Sequence, residues 1–269
     1  LHPFHVRTGH LWMSAFAEYA GAVPGLMLAG CRGAGLLFVA PGVSSPLVPG
    51  VVRVLLGVML GVVAFGSVET LGPRPNTLLE LGVLSGFELV FGAALGLLAL
   101  IPIAALQGVG LVSGQQIGLG FATLYDPNVG EEVDTTGRFM AALALGLFVV
   151  LGVPEALFMA VREGMTRFPP GVMLDMGLMT EAIPALLDGA FEMLLRCSLP
   201  VLTIVLAQTI LMGFLGRSVP QINILSVGFL VRIPIGLLVF VLVLPAIAGP
   251  WQLFAGDMID NVRILAGAD

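Results

Sequence analysis

The feature that most constrains this chain is a series of six long apolar stretches with little polar sequence between them. They run over Leu11–Ala40, Leu47–Val68, Leu78–Leu106, Phe139–Val161, Phe191–Leu215 and Ile222–Ile247. About 20 apolar residues in a helix cross the hydrocarbon core of a bilayer, and every stretch comes near or exceeds that length. Between them lie breaker-rich pieces: Pro41 to Pro46, Gly72 to Asn76, Phe168 to Gly171 and Gly216 to Pro220. Glycine and proline with polar neighbours end helices and start turns. The pattern predicts an all-α, polytopic membrane protein of helical hairpins, a single membrane domain over residues 1–269.

Composition supports this class. Hydrophobic residues make up 58% of the chain and charged ones only 10%, with a mean hydropathy of +1.05. A soluble domain carries roughly a quarter of its residues charged, and no hydrophilic stretch here is long enough to fold outside a membrane. The net charge is −6 and the basic residues, all Arg, are scattered, which leaves no footprint for nucleic acid. Cys31 and Cys197 lie in or beside apolar segments and read as small buried hydrophobes. Trp12 and Trp251 stand at the outer ends of the first and last stretches, where interfacial anchoring is expected. Arginine counts in alternate loops do not differ enough to orient the chain.

Several stretches carry charges a lipid-facing span would not. Arg32 lies in the first, Glu80 and Glu88 in the third, Arg196 in the fifth and Arg232 in the sixth. A charge at mid-bilayer costs ~3 kcal/mol on insertion scales, so these residues are expected to face protein or a wet cavity. Glu192 and Arg196, four apart, are expected to satisfy each other. Glu88 and Arg232 have no local partner and are expected to pair with each other or with a neighbouring subunit. Six Gly-x-x-x-Gly pairs occur, against about five expected by chance from 36 glycines; the count alone therefore means nothing.

Gly110, Gly114 and Gly118 form the exception, because the run continues to Gly120 inside an irregular, Gly-rich central segment. Non-helical backbone at membrane depth is tolerated where it is buried in protein or lines a cavity. The residues alone favour an ordinary re-entrant or surface loop over a plug or gate. The acidic Glu131, Glu132 and Asp134 that follow read as a solvated loop.

The stretch Gly114-Gln115-Gln116-Ile117-Gly118-Leu119-Gly120-Phe121-Ala122-Thr123, closed by Asp126-Pro127, resembles the signature of the FliR family of flagellar export-gate proteins. Arg32 with Ala40-Pro41, Val48-Pro49 and Arg53 is similar to that family's first hairpin. Glu88 to Gly96 resembles its third apolar segment. Leu199-Pro200, the turn Arg217-Ser218-Val219-Pro220-Gln221-Ile222-Asn223 and Val227-Gly228-Phe229 resemble its C-terminal hairpin. The resemblance covers nearly the whole chain in order. It implies a core subunit of the type III export gate, built with FliP-like and FliQ-like membrane subunits. The resemblance also implies an FlhB-like switch protein wrapping the base and an FlhA-like export protein nearby. Unfolded flagellar subunits would pass through the channel, in the inner membrane at the flagellar basal body. Gly110 and Gly114–Thr123 would then supply the pore plug. Asp126, Pro127, Pro41, Pro49 and Arg53 would be structural motif positions, and Arg32, Glu88 and Arg232 buried charges at packing surfaces. Arg217, Pro220, Gln221 and Asn223 would form a cytoplasmic turn that meets the FlhB-like protein. The resemblance further implies helices packed in an assembly raised out of the bilayer plane.

Other readings stand beside this one. The SctT branch serving virulence injectisomes shares the motifs more loosely. A secondary transporter would also carry broken helices and intramembrane charges, but no internal repeat is evident. An intramembrane enzyme is disfavoured. His2, His5 and His10 all precede the first apolar stretch, and Phe254 stands where an aspartyl-protease Gly-x-Gly-Asp motif requires glycine. No Gly-x-x-x-x-Gly-Lys-Ser/Thr occurs. No enzyme activity, cofactor or metal is expected.

Overall fold

The computed structural model describes residues 4–44, 48–66, 68, 72, 75–119, 135–172, 177–218 and 224–266, with side chains described from residue 21, and over 183–218 and 226–264 in the last two helices. Every regular element among them is helical. They are α1 (Phe4–Val39), α2 (Gly50–Phe65), α3 (Leu78–Ile117), α4 (Thr135–Val150), α5 (Val153–Arg167), α6 (Gly177–Ser218) and α7 (Ile224–Ala266). Four of the described helices have stretches long and apolar enough to cross a membrane, and α4 with α5, bent by 60° at their break, pass that test only together.

The helix ends follow local chemistry. Pro49 occupies the position before α2 with φ −56°, where its missing N–H costs nothing, and its carbonyl accepts from Val52 at 3.0 Å. At the start of α3, Thr77 Oγ1 accepts from the Glu80 N–H (3.1 Å). Glu80 Oε2 in return accepts from the Asn76 N–H (2.7 Å), a reciprocal arrangement akin to a capping box. Glu80 is thus an exposed cap at the helix mouth, not a charge facing protein within a span. The fourth apolar stretch is not continuous either. Gly152 takes φ 70°, and its N–H reaches the Val149 carbonyl at 3.1 Å, ending α4 before Pro154 enters the first turn of α5.

Lengths decide how these helices relate to a bilayer. At 1.5 Å per residue, α2, with 16 residues, is about 24 Å long, short of the ~30 Å hydrocarbon core. In contrast α3, α6 and α7 have 40, 42 and 43 residues, about 60 Å or more each. Twice the core thickness cannot lie inside it along the normal. α3 also runs further than the sequence predicts, carrying Gly110–Ile117 as helix and ending before Gly118.

The chain divides into two compact units. The first comprises residues 1–100, 154–182 and 259–269. In it α1 packs against α2 and α3 through backbone-close contacts. A Cβ at Gly57 would meet the Ala34 Cα at 2.5 Å, and one at Gly61 or Gly92 would strike the Ala29 or Arg32 carbonyl oxygen. Leu28, Leu36, Phe91, Leu95 and Leu98 fill its core. The second unit comprises residues 101–153 and 183–258, with Leu106, Ile117, Met140, Met193, Phe240 and Trp251 buried. Trp251 is thus a buried core residue well inside α7, not an anchor at its end; the side chain of Trp12 lies outside the described residues.

Candidate functional site

Two constellations stand out, one in each unit. In the first, Arg32 on α1 and Glu88 on α3 form a buried ion pair, 0% and 3% exposed. Arg32 Nε donates to Glu88 Oε2 at 2.6 Å and Nη2 to Oε1 at 3.1 Å, the two-pronged geometry a planar guanidinium offers a carboxylate. The remaining capacity goes to the turn after α5. Both Nη1 and Nη2 donate to the Phe168 carbonyl at 3.3 Å, and the Gly171 N–H donates to Glu88 Oε1 at 2.9 Å. The Arg32 guanidinium also lies 4.9 Å from the Phe91 ring centroid, within cation–π range. Pro170 and Gly171 (φ 96°) occupy the corners of a turn closed by Val172 N–H to the Pro169 carbonyl (3.1 Å). Proline followed by glycine is the order a type II turn favours.

This pairing corrects the expectation that Glu88 finds its partner in Arg232 or in a neighbouring subunit. Glu88 pairs with Arg32, while Arg232 Nη2 donates to Thr209 Oγ1 at 2.6 Å, and Thr209 in turn donates to the Val205 carbonyl. Sequence reading missed Phe168 and Gly171, whose contributions are backbone atoms. The Glu192–Arg196 pair forms as expected at 2.5 Å, on an exposed face.

In the second unit the Gly-rich end of α3 is clamped. Cβ atoms at Gly110 and Gly114 would collide with the Thr136 carbonyl and Oγ1, so no larger residue fits the approach to α4. Ile117 is fully buried and sits over Gly236 of α7, where a Cβ would be 2.6 Å from Ile117 Cγ1. Gly118 has φ 102°, a conformation glycine adopts without steric cost. Its N–H lies 3.1 Å from both the Gly114 and Gln115 carbonyls. Gln115 and Gln116 are exposed and Leu119 is half-buried.

Of the other sequence-predicted positions, Pro41 is buried in the turn after α1 and Pro49 is exposed. Arg53 Nε donates to the Val48 carbonyl at 3.0 Å. Arg217 is exposed in the last turn of α6, where a cation suits the helix dipole. Gly120, Phe121, Ala122, Thr123, Asp126, Pro127, Pro220, Gln221 and Asn223 lie outside the described residues. Among the described residues, no group of three or more His, Cys, Asp or Glu is placed to hold a metal ion.

Residues 23–258 match the family described as bacterial export proteins, family 1. The chain belongs to that family. Both constellations fall inside the matched region. Similar members are the flagellar biosynthetic proteins FliR of Aquifex aeolicus, Caulobacter vibrioides and Escherichia coli. The Aquifex protein is 27% identical over 222 residues, 82% of this chain and 86% of its own length. The Caulobacter protein is 23% identical over 248 residues, 88% and 93%. The Escherichia protein is 29% identical over 164 residues, 60% of this chain and 62% of its own. The resemblance read from the central motif and the C-terminal hairpin is thus a family membership.

Proposed function

We propose that this chain is a core subunit of the flagellar type III export gate, in the bacterial inner membrane at the basal body. It would act as one gate-forming subunit over its whole length. FliP-like and FliQ-like subunits complete the channel, with FlhB-like and FlhA-like proteins at its base, and unfolded flagellar subunits are the cargo. The family match supports export, and the flagellar names of the relatives favour this branch over the injectisome one.

The observation that carries the gate reading is the abrupt end of a 40-residue apolar helix at Gly118, within the run Gly114–Thr123. A helix clamped up to its last turn and ended at a left-handed glycine fixes the point from which the rest of that run starts, as the root of a plug requires. Much of α6 and α7 is apolar and uncovered within the chain, which supports assembly with membrane partners. Co-expression with FliP-like and FliQ-like subunits is the direct test. One stable complex is expected; a monodisperse chain that ignores both would refute the assignment.

A further inference from the structure

We propose that Phe229, Arg232 and Gly236 of α7 form the seat that holds the root of the plug, and that opening starts when Ile117 and Gly118 leave it. This rests on the plug reading above. The three residues are spaced i, i+3 and i+7, which places them on one face of a helix. All three meet the end of α3. Gly236 is a hole and Ile117 the knob that fills it: besides Cγ1, Ile117 Cγ2 and Cβ would lie 3.1 and 3.2 Å from a Cβ at 236. About two helical turns away, the Phe229 ring covers Gly118, with Cε1 and Cδ1 at 3.1 and 3.3 Å from the place a Cβ would take.

Arg232 lies between them and does two things at once. Its Cδ is 4.0 Å from the same point on Gly118, so its aliphatic stem lines the seat. Its guanidinium is held by Thr209 of α6, so the seat is braced from behind. The Thr209 hydroxyl thereby gives a basic residue in an apolar helix its partner. One to two turns earlier along α3, Thr136 of α4 grips Gly110 and Gly114. The atoms nearest to a Cβ at Gly118 or Gly236 are side-chain carbons, and the Gly118 N–H stays bonded within its own turn. Leaving the seat therefore sacrifices packing but strands no backbone donor, which suits a segment that must move and return.

The experiment measures ion leakage through membranes containing the chain co-assembled with FliP-like and FliQ-like subunits. Deletion of residues 114–123 serves as the reference for an open pore. Gly236→Ala, whose methyl displaces Ile117, should raise leakage several-fold while the complex still co-purifies. Adding Ile117→Ala to it removes both Cγ atoms and should return leakage towards the wild-type level. Phe229→Ala, which only deletes atoms, should also leak and carries the test if Gly236→Ala does not assemble. If the deletion leaks while assembled Gly236→Ala and Phe229→Ala stay tight, or if Ile117→Ala corrects nothing, the seat is refuted and the plug survives. If the deletion itself does not leak, the plug reading fails and the seat with it.

Discussion

A guanidinium with no exposed surface persists at Arg32 because its donors and its flat face are met: a carboxylate, a carbonyl and an aromatic ring. Breaking one partner of a buried pair is destabilising by about 3–5 kcal/mol, because the survivor is left charged and unpaired. Arg32→Ala should therefore lower the thermal stability of the detergent-solubilised protein substantially. The double variant Arg32→Met/Glu88→Leu should lose less, since no orphan charge remains. It would still leave the Phe168 carbonyl and Gly171 N–H without these partners, at about 1–3 kcal/mol each. Thermal unfolding of the three proteins checks this; a double variant as unstable as Arg32→Ala would contradict it. The sequence exposes Arg32 and Glu88 as charges that need partners, but 56 positions separate them and no periodicity links them. Glu192 and Arg196, one helical turn apart, were legible for that reason alone. The backbone groups of Phe168 and Gly171 carry no side-chain signal at all.

Glycine spacing illustrates the same limit for whole elements. Six Gly-x-x-x-Gly pairs are indistinguishable in the sequence, yet they do unlike things. Gly57 and Gly61 let α2 touch the backbone of α1, and Gly92 and Gly96 do so for α3, whereas Gly82 and Gly86 face open space. Gly61→Ala should force α1 and α2 apart, because the obstacle is the Ala29 backbone and no rotamer relieves it; overpacking of this kind costs about 1–3 kcal/mol. Gly82→Ala meets nothing and should be neutral or stabilise the helix by up to ~1 kcal/mol through backbone entropy. Thermal unfolding of the two variants should move in opposite directions, and a shared loss would contradict the packing. The existence of most helices was readable from apolar runs. The extension of α3 to Ile117 was not, because three glycines in nine residues disfavour helix locally while Thr136 and α7 reward it by close packing.

At the scale of the whole molecule, coverage is unequal. Of the most apolar window of α3, 61% is buried, against 11% for α6 and 17% for α7. Leu206, Ile210, Leu211 and Phe214 of α6 are each more than half exposed. Apolar surface on this scale is covered by lipid or by protein, and the two differ in how they answer truncation. Lipid chains refill the space left by a shortened side chain, whereas a packed subunit interface keeps the cavity and loses contacts. Helices of about twice the bilayer core in length cannot have lipid along their whole surface, which favours protein over much of it. Leu211→Ala/Phe214→Ala should therefore leave the chain membrane-inserted and folded, yet reduce several-fold the amount that co-purifies with the proposed FliP-like and FliQ-like partners. Wild-type recovery of the complex would mean that this face of α6 meets lipid in the assembled gate. Loss of insertion is not expected, because alanine adds no charge and keeps the helix apolar.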